Sequence, residues 1–471
     1  MLEYLYDILN IIYIILLITL IIYIIIQLNN YFEGGFNDGN RDEVKIPDES
    51  IHSDDDDVIT DNEKRTYKKY NQHAFEMGDI GDTPEESTDN GVKYEDFVKL
   101  IQDSDFIKGY KNALEYTFDY KEGIYKKKLK EVENDLITYK EDSNAIIGTH
   151  NTNRDKLKLS KNELLNILST IESRKKNLST DKIKNNFKLM IYHNKNGFNS
   201  LVGREEIKDN ICSQIYAFSK NPKYFFTNFQ NFIFYGNSGV GKTKLAETLA
   251  YIYCKSGILM REKYRCITTQ ELKSPYINES AKLTREILWS TLEGLLFIDE
   301  AYDWVPEKTF GFSTKADHGE ESLTEAINFL DKNIGLSIVC MAGYHDKMQR
   351  VLENNQGMFR RFPNQIILSD YNAKQLTELL IKFIENTDED ITFNNHDASA
   401  LYTLIDYVYK KKKEVFDKQA GSMLNLSSAI LKSIYTSTLY KWSNTNGDNN
   451  IYLMTKGINN YLKSYGLYVS V

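Results

Sequence analysis

The chain of 471 residues has room for two or three domains, and its formal charge of −9 is unevenly spread. Residues 33–89 hold 18 Asp and Glu against 6 Lys and Arg, which leaves residues 91–471 at about +5, so no strongly basic face argues for a nucleic-acid partner. Cys212, Cys254, Cys266 and Cys340 stand far apart without paired metal-ligand spacing, and they read as buried reduced thiols of a reducing compartment.

From Ile8 to Leu28 the chain carries no charge, and Ile11 to Ile26 is almost continuous Ile, Leu and Tyr. As a helix rising about 1.5 Å per residue this stretch measures roughly 30 Å, the thickness of a bilayer core. Glu3 and Asp7 precede it and no small-residue cleavage site follows, which argues against a cleaved signal peptide. Residues 1–30 are therefore expected to be a single-pass transmembrane anchor. Residues 31–93, with Asp54 to Asp57 at their centre and few large apolar side chains, cannot offset their chain entropy by burial and are expected to form an acidic, extended tether. The four aspartates read as a solvated charge run before a metal cluster.

Helical periodicity sets in over residues 94–190. Tyr125, Leu129, Val132, Leu136 and Tyr139 line one helix face, and Leu157, Leu164, Ile171 and Leu178 repeat every seven residues. The turn-favouring run Gly148 to Asn153 lies between them, so a helical hairpin or short coiled coil is expected with its turn there.

Next, in residues 195–370, an apolar run from Phe232 to Tyr235 falls straight into Gly236-Asn237-Ser238-Gly239-Val240-Gly241-Lys242-Thr243. This is a G-x-x-x-x-G-K-[ST] phosphate loop placed between a strand and a helix-forming run. The glycines let several backbone N–H groups converge on a polyphosphate, and the N-terminus of the following helix adds to that field. Lys242 supplies charge for the β and γ phosphates and Thr243 a hydroxyl for Mg²⁺. Some fifty residues on, Leu295-Leu296-Phe297-Ile298 reads as a strand buried on both faces, and Asp299-Glu300 emerge at its end. Asp299 is suited to hold Mg²⁺, and Glu300 to orient and polarise an attacking water. The pattern thus predicts ATP and Mg²⁺ as ligand and cofactor of a hydrolase.

Gly294 to Tyr302, GLLFIDEAY, resembles the GVLFIDEAY segment of CbbX/CfxQ/SpoVK-like AAA+ ATPases. Gly236 to Thr243, Asp317 to Glu321, Met341 to Tyr344 and Asn355 to Pro363 are similar to further motifs of that family in the same order. The resemblance covers about residues 197–471. The order of elements predicts an α/β fold with a parallel five-stranded sheet between helices, its strands near 232–235, 264–267, 295–298, 336–341 and 364–368, which the resemblance makes an AAA+ P-loop core. A helical lid follows over 371–471, with helices near 375–386, 398–411 and 424–442.

The resemblance further implies that Val202 and Gly203, in the Leu201-Val202-Gly203-Arg204 segment, pack against adenine. It makes Arg361 the arginine finger that reaches a neighbour's γ phosphate, with Arg360 the second candidate, and Ser274-Pro275-Tyr276-Ile277 a pore loop. Two departures stand out. Leu424, in Gly421-Ser422-Met423-Leu424, replaces the lid arginine, and no Asn or Thr marks the first sensor near Ala342-Gly343-Tyr344. The implied protein is a homo-oligomeric ring, a hexamer among the sizes open, anchored in a membrane through residues 8–28. Its ATPase domain faces the cytosol, where ATP is abundant, and it remodels an unknown protein client. The alternative is a nucleotide-gated oligomeric membrane scaffold with weak or no hydrolysis.

Overall fold

Five short strands make the centre of the fold, a parallel sheet in the order β2-β3-β4-β1-β5. The strands are β1 (Phe232–Tyr235), β2 (Tyr264–Thr268), β3 (Leu295–Asp299), β4 (Ile338–Gly343) and β5 (Asn364–Ile367). β1 and β4 are buried at every residue and β3 at all but Asp299, as strands covered on both faces require. β4 starts two residues later than the pattern suggests, because Leu336 lies in a turn, accepting from the Glu293 N–H and donating to the Asn333 carbonyl. Cys212, Cys254 and Cys340 are buried thiols. Cys266 is not: it sits on edge strand β2 with its side chain on the exposed face, a correction that follows from the alternation of a strand paired on one side only.

This computed structural model describes residues 91–141, 147–228, 230–274, 279–304, 318–354, 356–444 and 447–469. The expected anchor at 8–28, the tether up to residue 90 and residues 275–277 of the expected pore loop lie outside them. Among the described residues no helix is long and apolar enough to cross a membrane.

Ahead of the sheet come α1 (Tyr94–Leu100), α2 (Ser104–Glu141), α3 (Ile147–Lys176) and α4 (Thr180–Tyr192). Lys175 pairs with Asp119 and Glu122 while Lys161 pairs with Glu133, so α2 and α3 run antiparallel. Their facing stripes bury Tyr125 and Val132 on one helix and Leu164, Ile167 and Ile171 on the other. The turn is not at Gly148 to Asn153, which lies inside α3. A helix interior glycine costs only about 1 kcal/mol, and extending an existing helix is cheaper than starting a new one, so the turn-favouring residues there are overridden.

α5 (Glu205–Lys220) and α6 (Pro222–Thr227) lead into β1; α7 (Lys242–Lys255) follows the phosphate loop; α8 (Ser280–Ser290) and α9 (His318–Lys332) flank β3 in sequence; α10 (His345–Asn354) and α11 (Gln356–Phe359) follow β4. The last four helices, α12 (Ala373–Thr387), α13 (Asn395–Lys411), α14 (Ala420–Tyr435) and α15 (Asp448–Leu462), share a second apolar core around Leu376, Leu380, Leu401, Ile405, Met423 and Met454. Asn372 and Asn394 cap α12 and α13 by accepting from the Gln375 and Asp397 N–H groups.

Candidate functional site

The sheet register brings the phosphate loop and the acidic pair to one edge. Tyr235 lies opposite Gly343, and Met341 opposite Ile298, so the ends of β1, β4 and β3 come level. This is the carboxyl edge of the strands, where open parallel sheets bind ligands. The Gly236 N–H donates to the Gly343 carbonyl at 3.2 Å and ties the start of the loop to β4.

Within the loop, Gly239 (φ +78°) and Gly241 (φ +93°) occupy the left-handed region that side chains avoid. Gly241 is also the N-cap of α7, so the free amides of that helix open onto the loop. Asn237, Ser238 and Thr243 are exposed, while Val240 is buried beneath them. Asn237 donates to Asp370 at 3.0 Å. Lys242 reaches back over the loop, donating to the carbonyls of Gly236 (2.9 Å) and Asn237 (2.7 Å), which leaves one of its three N–H groups for a ligand. Burial pushes the Lys242 ammonium below its ordinary pKa, and the Asp299 and Glu300 carboxylates oppose that shift. The two motifs therefore share one electrostatic site.

Asp299 is half-buried and accepts from the Glu300 N–H at 3.0 Å; Glu300 is exposed at φ +50°, unusual for a residue with a side chain. The donor set fits ATP with Mg²⁺: converging amides and an ammonium for phosphates, and the hard oxygens of Thr243 and Asp299 for a cation that takes its remaining ligands from phosphate and water. When bound, that ion supplies charge neutralisation between the phosphates.

Val202 is buried within the core of the last four helices, and Gly203 (φ +58°) lies against the Gln375 side chain of α12. Sequence reasoning missed the residues that join this segment to the loop. Arg204, buried, donates to the carbonyls of Val240 (2.9 Å) and Ser369 (3.1 Å) and stacks 4.3 Å from the Tyr371 ring centre. From the lid, the Ala420 N–H donates to the Gly239 carbonyl at 3.1 Å, and Gln419, at φ +50°, accepts from the Tyr371 N–H at 3.0 Å. The lid thus touches the loop through Gln419 and Ala420. Leu424, one turn further along α14, is 54% exposed and carries no charge to the site.

Residues 232–368 match the family model described as ATPase family associated with various cellular activities (AAA). These residues are an AAA ATPase domain. The chain is 28% identical over 192 residues to a protein named CfxQ homolog of Galdieria sulphuraria, a stretch covering 41% of this chain and 60% of that relative. It is 32% identical over 193 residues to Protein CfxQ of Xanthobacter flavus, covering 41% and 57%. It is also 32% identical over 171 residues to the ESX-3 secretion system protein EccA3 of Mycobacterium tuberculosis (strain CDC 1551 / Oshkosh), covering 36% and 26%. The chain therefore spans about 60% of the length of the CfxQ relatives and about a quarter of EccA3.

At the far end of the AAA domain, Arg361 is bound within its own chain. Its guanidinium pairs with both oxygens of Asp331 at the end of α9, and it also donates to the Gly357 carbonyl. Asn231 locks the same turn by donating to the Arg361 carbonyl at 2.8 Å. Arg360 is exposed.

Proposed function

We propose that this chain is an AAA machine that hydrolyses ATP, works as a homo-oligomeric ring, is held at a membrane by residues 8–28, and uses turnover to remodel a protein partner. The observation that carries the catalytic part is the convergence of Lys242 with Asp299 and Glu300 at one sheet edge, close enough for both carboxylates to act on the lysine's charge. In this reading the loop amides and Lys242 hold the phosphates. Glu300 takes a proton from the water that attacks the terminal phosphorus as the bond to the ADP oxygen breaks. The likeness to a protein named for a secretion system supports a protein client.

The full chain in detergent or lipid discs, compared with Glu300→Gln, tests this. Glu300→Gln is expected to lower steady-state hydrolysis about 100-fold or more while leaving nucleotide binding intact, and deletion of residues 1–30 is expected to release the protein from sedimenting membranes. Wild-type turnover no greater than that of Glu300→Gln would sink the hydrolytic reading in favour of the nucleotide-gated scaffold, which the uncharged Leu424 supports.

In the same reading the neighbour's site needs a cation from this chain. Arg360 is presented for that role, and Arg361 anchors the loop through Asp331. Arg360→Ala is expected to lower turnover at least tenfold with an unchanged melting temperature, an arginine finger being worth about 10³ or more in favourable cases. Arg361→Ala is expected to lower the melting temperature as well. Loss of turnover from Arg361→Ala alone would give the finger to Arg361.

A further inference from the structure

Glu300 is exposed, and at φ +50° it holds a backbone conformation that a residue with a side chain keeps only where its surroundings impose it. Two contacts act inside its own turn: the Asp299 carboxylate accepts from the Glu300 N–H at 3.0 Å, and the Asp303 N–H donates to the Glu300 carbonyl at 3.0 Å. The chain runs on directly into the short 3-10 turn Ala301–Trp304, so whatever fixes that turn also limits the aim of the base.

Groups from other segments fix it on two sides. At the surface, the Lys273 ammonium donates to the Asp303 carbonyl at 2.6 Å. Inside, the Trp304 indole N–H donates to Ser322 Oγ of α9 at 3.0 Å, Ser322 Oγ lies 2.7 Å from Thr284 Oγ1 of α8, and Thr284 Oγ1 donates to the Leu272 carbonyl at 3.2 Å. All four residues of this chain of bonds are buried. An indole N–H can only donate, and the one hydroxyl proton of Thr284 is committed to Leu272, so Ser322 donates to Thr284 and every donor points the same way. Leu272 and Lys273 are neighbours. Leu272 ends the 3-10 turn Thr269–Leu272, which starts straight after β2, where Thr268 lies opposite Asp299. The turn after Glu300 is therefore clasped from its buried and its exposed side by one adjoining stretch of chain.

We propose that Trp304 and Lys273 are positioning residues for Glu300: the buried chain from Trp304 through Ser322 and Thr284 to Leu272, together with the surface bond from Lys273, holds the turn after Glu300 in the conformation that aims its carboxylate at the attacking water. This rests on the hydrolytic reading above. It makes α8, α9 and the segment after β2 the support of the base.

Ser322→Ala removes one buried hydroxyl and breaks the chain of bonds at its centre. In the full chain, assayed well below the melting temperature of the variant, it is expected to lower kcat for ATP hydrolysis about threefold to tenfold, the worth of one buried hydrogen bond, with KM for ATP within about twofold of wild type. Lys273→Met acts at the surface and is expected to lower kcat about threefold with an unchanged melting temperature. Neither is expected to lower kcat further on a Glu300→Gln background. An unchanged kcat in either variant, or a second full drop on the Glu300→Gln background, would overturn the assignment while the hydrolytic reading stands. Wild-type turnover equal to that of Glu300→Gln would overturn both.

Discussion

Lys242→Ala is expected to weaken ATP binding by about two to three orders of magnitude, whereas Glu300→Gln leaves it near wild type. The reason lies in where the ammonium sits before any ligand arrives. It is half-buried, it is already folded back onto the Gly236 and Asn237 carbonyls, and Asp299 and Glu300 keep it charged against the pull of burial. Removing one partner of a desolvated charge pair costs about 2–5 kcal/mol, and here the orphaned partner is a triphosphate facing two carboxylates with no cation left on the loop. The two loop carbonyls also lose their donor. Lys242→Arg should not rescue the loss, because a planar fork of five donors cannot replace a point charge inside a loop whose carbonyls approach from one side. Titration with a fluorescent ATP analogue measures all three; binding by Lys242→Ala within tenfold of wild type would contradict the assignment.

What could be read in the sequence was the chemistry carried by adjacent residues. The phosphate loop and Asp299-Glu300 each declare themselves within a short run, because the strand before them and the turn after them are local. The three inner strands β1, β3 and β4 were legible for the same reason, their apolar runs being covered on both faces. Contacts made by residues far apart in the chain were not legible. Arg204, Val240, Ser369 and Tyr371 form one cluster from segments separated by up to 167 positions, and no spacing rule joins them. Family likeness points to Leu424 for the lid's hold on the loop, but that hold is made at Gln419 and Ala420, where a strained turn brings backbone groups to Gly239. Arg361 could be read as an arginine before Phe-Pro. That it is held by Asp331 depends on the end of α9 lying beside the turn after α11. The error at Gly148 to Asn153 has the opposite origin. There local turn propensity is outweighed by helix propagation along α3.

A stability effect of comparable size is expected at the opposite end of β3. Glu293, two residues before the strand and fully buried, accepts from Lys121 Nζ at 2.5 Å, from the Tyr125 hydroxyl at 2.7 Å and from the Met260 N–H at 3.0 Å, while Lys121 also donates to the Ile258 carbonyl at 2.7 Å. Lys121 and Tyr125 belong to α2, so this ion pair fastens the helical hairpin to the edge of the sheet away from the phosphate loop. Burial drives the Lys121 ammonium below its ordinary pKa, and Glu293 is the main force holding it charged. Glu293→Ala leaves that charge, and the Tyr125 hydroxyl, inside the protein without their acceptor, and a loss of about 3–5 kcal/mol is expected. Lys121→Met combined with Glu293→Gln removes the charge together with its partner, and it should recover most of the loss, since a buried pair is costly chiefly when broken on one side. Hydrogen exchange separates this from global unfolding: α2 and the turn before β3 should lose protection in Glu293→Ala while α12 to α15 keep theirs. Unchanged protection in α2 would mean that the apolar stripe of Tyr125, Val132, Leu164 and Ile171 holds the hairpin without the ion pair.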